Sequence, residues 1–343
     1  MIIQAMKRIP LRYFEIVFCV LAGVAFLLIG ANLAKGSIPK PVQLFWGAFG
    51  SKVGAIDLTP MQPIRRDFVG FYDWRFGLYA RIYKGEEQHG GVPQRADMTA
   101  HLAKVRTDIE AAIPDPEWSG VGMIDYENWT PDWSRLDDPH KNLSRQIVRE
   151  KYPDLTEPAV EQMARQEFET AAVNFWAQTL QTCKQTRPKG RWGFYGFPRD
   201  FEAADPARWQ WLTDLSTVLL PSAYTVKAAK EAPANQWEAK PEWYVGQMQA
   251  IVGGARKMAP AKTIYAMIWY QYHNMNEVYK GQPLAEPDLS ACLTVPLNCG
   301  ADGLVIWDYF DNDQAVMNYN NYLRTTAGPM IGKTFTVQRV WQP

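Results

Sequence analysis

The chain has 343 residues, of which 47% are hydrophobic and 21% are charged, and its 36 basic residues balance its 36 acidic ones. This is the composition of an ordinary globular protein, and the chain is long enough for one large domain of the size that barrel folds reach. A net charge of zero argues against a general nucleic-acid-binding surface. The four cysteines and four histidines lack the spacing of a zinc site, so we expect no metal and no cofactor.

The N-terminus divides into an apolar segment and a linker. Basic residues precede an apolar run at 16–34, which is about as long as a membrane-spanning helix. We therefore predict a signal anchor or a cleaved signal peptide at residues 1–35, followed by a linker at 36–41. With the basic flank in the cytoplasm, the remaining domain at 42–343 would be extracytoplasmic, either anchored to the membrane or secreted.

In the rest of the chain, short apolar runs rich in β-branched and aromatic residues alternate with segments of helical period. The runs lie near 43–49, 67–74, 120–127, 191–198, 216–224, 263–270 and 303–310. The segments with helical period lie at 98–113, 157–187, 242–258 and 289–300. This alternation predicts an α/β fold with a parallel sheet whose strands are connected by helices. Seven units in about 300 residues favour a closed barrel over an open sheet.

Two carboxylates stand at the end of the third run, where GVGMI leads into Asp125, Tyr126 and Glu127. Residues i and i+2 of a strand face the same side, so Asp125 and Glu127 would both point into the mouth of a barrel, where barrel enzymes have their sites. Neighbouring carboxylates do not readily ionise together, so one pKa rises and gives the general acid that glycosidic cleavage needs. Taken alone, this pattern is a weak signal and more often marks a pair of exposed carboxylates or a helix N-cap.

Aromatic residues stand near the ends of four further runs. They are Tyr195, Tyr224, the pair Trp269 and Tyr270, and Trp307, which precedes Asp308. One such residue is more often part of a core than of a site. A set of them on successive strands would surround a cleft of the size of a sugar, because aromatic faces pack on the apolar faces of sugar rings.

The order of these motifs resembles that of the animal and venom hyaluronidases, glycoside hydrolase family 56. The family's acidic motif D-W-E-x-W-R-P is similar to residues 125–131, which read DYENWTP. The other similar segments are a G-G-x-P-Q stretch with its following helix at 90–120, W-G-F-Y-G-F-P at 192–198, L-x-P-S-x-Y at 219–224 and a final G-x-x-x-W at 303–307. The similarity extends over residues 42–310 in the same order.

The resemblance implies a distorted, seven-stranded, TIM-like (β/α)7 barrel and an endo-β-N-acetylhexosaminidase that retains the anomeric configuration. The substrate's acetamido oxygen would be the nucleophile, Glu127 would be the acid and then the base, and Asp125 would orient the acetamido group. The implied substrate contacts are Tyr195, Tyr224, Trp307, Tyr270, Trp129 and Tyr126. The partner would be a polysaccharide, namely hyaluronan, chondroitin or a related N-acetylhexosamine glycan.

Departures from the family pattern leave the substrate open. Thr130 stands where the family has an arginine, a residue suited to a carboxylate-bearing polymer, so a neutral, chitin-like polymer is an alternative. Residues 199–201 replace the family's D-C-Y-N, and we expect the family disulfides and the cysteine-rich C-terminal module to be absent, with a pairing of Cys292 and Cys299 left open. A membrane-tethered, catalytically silent glycan-binding protein on the same barrel is the alternative function.

Overall fold

The computed structural model describes residues 42–228 and 241–340. The chain divides into two units after Pro41, and the second one, Val42–Pro343, contains all of the described residues. The predicted signal segment and linker, together with Cys19, lie outside them. Within the described ranges, no helix is both long and apolar enough to cross a membrane.

Among the described residues, seven short parallel strands lie at the centre of the fold, one in each of the seven apolar runs. They are β1 (Gln43–Trp46), β2 (Phe68–Tyr72), β5 (Val121–Asp125), β6 (Arg191–Phe194), β7 (Val218–Leu219), β8 (Thr263–Ile268) and β9 (Gly303–Ile306). An antiparallel hairpin of β3 (Arg81–Tyr83) and β4 (Glu86–Gln88) is inserted after β2. Parallel strands need long connections, which here are mostly helical.

The parallel strands pair in two sheets of order β1-β9-β8-β7 and β2-β5-β6. Two isolated bridges join the sheets at both edges. Phe45 of β1 pairs with Arg65, shortly before β2, and Tyr195 after β6 pairs with Leu220 after β7. The strands therefore follow one another in the cyclic order β1-β2-β5-β6-β7-β8-β9, and the α/β class predicted from the sequence is confirmed.

The helices of the described residues lie between and after the strands. They are α1 (Met98–Ala112), α2 (Asp138–Lys151), α3 (Glu157–Thr186), α4 (Asp200–Ala204), α5 (Pro206–Leu215), α6 (Pro241–Met248), α7 (Gly254–Met258), α8 (Glu286–Asn298), α9 (Asp313–Tyr322) and α10 (Gly328–Val340). π-helical turns join α6 to α7 (Gln249–Gly253) and α9 to α10 (Leu323–Ala327). Short 3-10 turns lie at Val53–Ala55, Thr59–Met61, Pro93–Arg95 and Trp133–Arg135.

Several helices begin at a polar side chain that accepts a hydrogen bond from the first turn. Asp97, Asp137 and Asn312 do so at α1, α2 and α9, where the backbone N–H groups have no partner within the helix. The helical periods of the sequence correspond to α1, α3, α6 with α7, and α8. The other five helices of the described residues, α2, α4, α5, α9 and α10, were not predicted from the sequence.

Alternate residues of the strands contribute to two separate cores. The inner cluster, enclosed by the ring of strands, consists of Phe45, Phe68, Tyr72, Val121, Met123, Val218, Leu220, Tyr224, Tyr265, Met267, Trp269 and Val305. The outer layer lies between strands and helices and includes Ile124 of β5 and Phe194 of β6. Because side chains alternate along a strand, Asp125 continues the inner side of β5 after Val121 and Met123.

Candidate active site

Asp125 is the last residue of β5, and Glu127 follows two positions later. Asp125 is half-buried, and its Oδ1 atom is enclosed without a hydrogen-bond partner in the described part of the chain. Glu127 is exposed to solvent. The mouth of the ring thus presents two unlike carboxyl groups, one enclosed by protein and one accessible to a molecule that enters from solvent.

Both carboxyl groups have raised pKa values. Burial raises the pKa of Asp125 well above its usual range, and the negative charges of Glu127 and Asp73 raise it further, while Arg199 lowers it. Although the residue is exposed as a whole, protein surrounds much of the carboxyl group of Glu127, and this partial loss of water is the main reason that its pKa is raised; Arg199 lowers the pKa and Asp73 raises it. Because the two groups influence each other, they lose their protons in steps that belong to the pair. The pair therefore retains a proton at pH values where ordinary carboxyl groups are ionised.

Three of the predicted substrate contacts lie together on the inner side of the ring. The ring of Tyr224 lies 5.9 Å from that of Tyr195 and 5.8 Å from that of Trp307. Burial raises the pKa of both tyrosines, and the charge of Asp125 adds to this effect. Their hydroxyl groups therefore stay protonated. The hydroxyl of Tyr195 donates to Oγ of Ser222 at 3.4 Å, and that of Tyr224 can donate to a bound molecule.

Two other predicted contacts, Tyr126 and Trp129, lie in the outer layer. The hydroxyl of Tyr126 donates to the backbone oxygen of Phe76 at 3.1 Å, and its ring stacks on Tyr79 at 4.2 Å. Trp129 donates from Nε1 to the backbone oxygen of Ala80 at 2.6 Å and also packs against Tyr79. Strand alternation directs Tyr126 away from its two carboxylate neighbours. The expectation that these residues line the groove is wrong, because both belong to the core.

The prediction for Tyr270 is wrong for the same reason. Its hydroxyl donates to Asp308, and its ring stacks on Tyr319 at a centroid distance of 4.1 Å, on the helical side of β8. The preceding residue, Trp269, belongs to the inner cluster and lies 5.1 Å from the ring of Trp307. Trp269 is thus the aromatic residue that this strand contributes to the site.

Asp73 and Arg199 are two charged groups of the site that the sequence patterns did not indicate. Asp73 follows β2, and Arg199 follows β6, so they come from the two strands that flank β5. The carboxylate of Asp73 is paired with Arg81 at 2.9 Å. Asp73 lies at the end of the apolar run 67–74, and Arg199 directly follows the run 191–198, so both stand near the end of a run, as Asp125 and Glu127 do.

Comparison with known proteins identifies the family. A family model described as hyaluronidase matches residues 56–338. The chain belongs to the hyaluronidase family. It is 30% identical to the hyaluronidase of Apis mellifera over 274 residues, covering 71% of this chain and 67% of that one. It is 32% identical to hyaluronidase-1 of Homo sapiens over 288 residues, covering 77% and 64%.

Solved structures of bee venom hyaluronidase have a similar fold. One matches with a TM-score of 0.73 at 24% identity, covering 84% of this chain and 99% of that one. A second, in complex with a hyaluronic acid tetramer, matches with a TM-score of 0.72 at 25% identity and covers 84% and 98%. The chain is a glycoside hydrolase by its membership of the hyaluronidase family.

This member of the hyaluronidase family carries a buried Thr130 where the family motif has arginine. The threonine Oγ1 atom is enclosed and has no hydrogen-bond partner among the residues that the structure describes. That position therefore presents no charged group to a glycan.

The cysteines and the possible metal ligands of this hyaluronidase-family chain are dispersed. Cys183, Cys292 and Cys299 are free thiols, so Cys292 and Cys299 do not pair. Over residues 42–228 and 241–340, no group of three or more histidine, cysteine or acidic side chains is placed to hold a metal ion.

Proposed function

We propose that this chain is an endo-β-N-acetylhexosaminidase that cleaves a glycosaminoglycan-type polysaccharide by a retaining, substrate-assisted mechanism. The observation that carries the proposal is the pair of unlike carboxyl groups with raised pKa values, Asp125 and Glu127, beside Tyr195, Tyr224 and Trp307 at the end of β5. We infer that the cyclic order of the strands corresponds to the distorted (β/α)7 barrel of the family. The resemblance of the motifs and membership of the hyaluronidase family support this inference.

Glu127 is the proposed general acid and base. Its raised pKa keeps it protonated into the range where a normal glutamate is ionised, and its exposure lets a glycosidic oxygen reach it. It would donate its proton to that oxygen as the bond to the anomeric carbon breaks. The resulting carboxylate would then take a proton from the water that attacks the anomeric carbon.

Asp125 is the proposed positioning group for the nucleophile. Its enclosed, unpartnered Oδ1 atom is suited to accept a hydrogen bond from the acetamido N–H of the substrate. As the acetamido oxygen bonds to the anomeric carbon, positive charge develops on the acetamido group, and the oxygen of Asp125 that accepts its N–H would stabilise that charge. Tyr224 would donate to the acetamido oxygen, and Trp307 would pack against the acetamido methyl group.

The proposed partner is hyaluronan, chondroitin or a related N-acetylhexosamine glycan. Support comes from a similar structure, that of bee venom hyaluronidase in complex with a hyaluronic acid tetramer. Secretion or membrane anchoring of this chain depends on residues 1–35, which lie outside the described residues, and stays a prediction.

Depolymerisation by the full chain tests this function directly. The chain is assayed on hyaluronan, chondroitin and N-acetylchitooligosaccharides, beside Glu127→Gln and the control Glu110→Gln, an exposed residue of α1. We expect Glu127→Gln to lower kcat by about 10²- to 10⁴-fold, the usual contribution of a general acid, with the control unchanged.

Three outcomes would contradict parts of the proposal. Binding of a glycan without cleavage of any would favour the catalytically silent alternative. Cleavage of N-acetylchitooligosaccharides alone would exclude an acidic substrate. A product that forms with inverted anomeric configuration, measured by NMR at early times, would exclude the substrate-assisted mechanism.

A further inference from the structure

A series of aromatic side chains leads from Trp307, at the mouth of the strand ring, to the protein surface. The ring of Phe49 lies 6.0 Å from that of Trp307, 4.9 Å from Tyr309 and 6.2 Å from Trp74. Trp74 is 56% exposed and Tyr309 is 47% exposed. We call Phe49, Trp74 and Tyr309 the aromatic platform. Clustered exposed aromatic residues mark binding surfaces more often than isolated ones do.

The aromatic platform is held in place by the site itself. Trp74 stacks on Tyr72 at 4.8 Å with an angle of 20° between the rings. The hydroxyl of Tyr72 in turn accepts a hydrogen bond from Nε1 of Trp307 at 3.1 Å. These contacts hold the platform in one arrangement before a ligand arrives, which lowers the entropic cost of binding.

A cation lies on this platform without a carboxylate partner. The guanidinium carbon of Arg75 is 5.7 Å from the ring centre of Phe49 and 5.1 Å from that of Tyr72. Arg75 is exposed, and no acidic side chain of the described residues lies within ion-pair distance of it. The nearby Asp73 is paired with Arg81 instead. Arg75 is therefore available to an anionic group from outside the protein.

We propose that the aromatic platform and Arg75 form a subsite for a uronate unit of an acidic glycan. An aromatic face packs against the apolar face of a sugar ring, and a guanidinium binds a carboxylate through two parallel hydrogen bonds. The platform residues follow β1, β2 and β9, and β2 is the neighbour of β5, so the subsite adjoins the carboxyl pair.

The inference rests on the proposed function and identifies its substrate class. In a polymer that alternates hexosamine and uronate, the hexosamine at the carboxyl pair has a uronate as its next neighbour along the groove. Arg75 would supply a cation for that uronate, whereas Thr130, which replaces the family's arginine, is neutral and buried. The subsite thus favours an alternating acidic polymer over a neutral, chitin-like one.

Binding measurements test the subsite independently of hydrolysis. All variants of the full chain carry Glu127→Gln to prevent turnover, and their dissociation constants for a hyaluronan octasaccharide and for N-acetylchitohexaose are measured by calorimetry. We expect Arg75→Gln to weaken binding of the hyaluronan octasaccharide about 5- to 10-fold, because it removes a charged hydrogen bond, with no change for the neutral ligand. Trp74→Ala should weaken binding of both ligands about 3- to 10-fold.

The matched control is Arg106→Gln, which removes an exposed arginine from α1. The proposed subsite is contradicted if Arg75→Gln binds the hyaluronan octasaccharide as tightly as this control does. It is also contradicted if the Glu127→Gln chain that retains Arg75 binds no acidic glycan. If Arg75→Gln weakened binding of N-acetylchitohexaose as much as binding of the hyaluronan octasaccharide, Arg75 would not determine the preference for an acidic glycan. Failure of the proposed function gives a different result, namely no hydrolysis of any glycan by the chain that retains Glu127.

Discussion

The inner cluster and the outer layer use the same kinds of residue for opposite purposes. Tyr224 and Tyr126 are both buried tyrosines that follow a strand. Tyr126 donates its hydroxyl hydrogen to a backbone oxygen, and Trp129 does the same with its indole N–H. On the inner side, Asp125 leaves a carboxylate oxygen without a partner among the described residues. The polar tips of Tyr126 and Trp129 are thus satisfied by backbone oxygens, whereas Asp125 keeps an oxygen that a ligand can use.

The two regions also contribute to stability with opposite signs. Buried aromatic residues of the outer layer stabilise the fold by removing apolar surface from water. The carboxyl pair destabilises the fold at neutral pH. A carboxyl group whose pKa is raised in the folded state costs folding free energy when it is ionised, and favours folding only while it is protonated. That contribution is lost as the pH rises from the unfolded-state pKa through the folded-state pKa.

Among the variants that compare the inner cluster with the outer layer, Asp125→Asn has the largest expected effect. We expect kcat to fall about 10²- to 10³-fold, because the developing charge on the acetamido group loses its stabilising carboxylate. The free energy of unfolding at pH 7 should rise, because an amide does not ionise and the cost of a buried charge disappears.

Urea unfolding at two pH values checks the sign of this stability change. The gain of Asp125→Asn over the unsubstituted chain should shrink near pH 4, where the carboxyl group is protonated in the folded state and about half protonated in the unfolded state. A variant that is less stable at pH 7 would contradict the assignment of Asp125 as a functional group that weakens the fold.

A matched pair of tyrosine variants separates the two regions with an intermediate effect. Tyr224→Phe should lower kcat/KM about 10-fold through loss of the hydrogen bond that positions the acetamido oxygen for attack, with little change in unfolding free energy. Tyr126→Phe should leave kcat/KM within about twofold while lowering the unfolding free energy by about 1–3 kcal/mol, because the backbone oxygen of Phe76 loses its donor. If Tyr126→Phe lowered kcat/KM and Tyr224→Phe lowered the unfolding free energy instead, the assignment of Tyr224 to the site and of Tyr126 to the core would be wrong.

The smallest expected effect concerns the pH profile. Activity should fall as the pH rises through the raised pKa of Glu127, because the proposed reaction needs this group protonated. Arg199 lowers the pKa values of both carboxyl groups, so Arg199→Gln should move the basic limb of kcat/KM to higher pH, by less than about one unit. Arg106→Gln is the control, and a shift toward lower pH in Arg199→Gln would contradict the placement of this cation.

The sequence alone determined the strands, the carboxyl pair and the family. The seven apolar runs contain the seven parallel strands that the structure describes between residues 42 and 340, because buried strands need continuous apolar segments. The spacing of Asp125 and Glu127 is sufficient to predict that they share one face, since the side-chain period of a strand is two. The motifs around them, from 90–120 to 303–307, were sufficient to indicate the hyaluronidase family, which the family model confirms.

Only the tertiary structure decided which aromatic residues face the site. Side-chain alternation along a strand places Trp269 and Tyr270 on opposite faces of the sheet. Only the closed ring of strands determines that the face of Trp269 points inward and that of Tyr270 points toward the helices. Charges that act on the carboxyl pair, those of Asp73 and Arg199, come from neighbouring strands that are distant in sequence. Their effect depends on strand order and register, which local patterns do not encode, whereas the alternation within β5 is local and could be read directly.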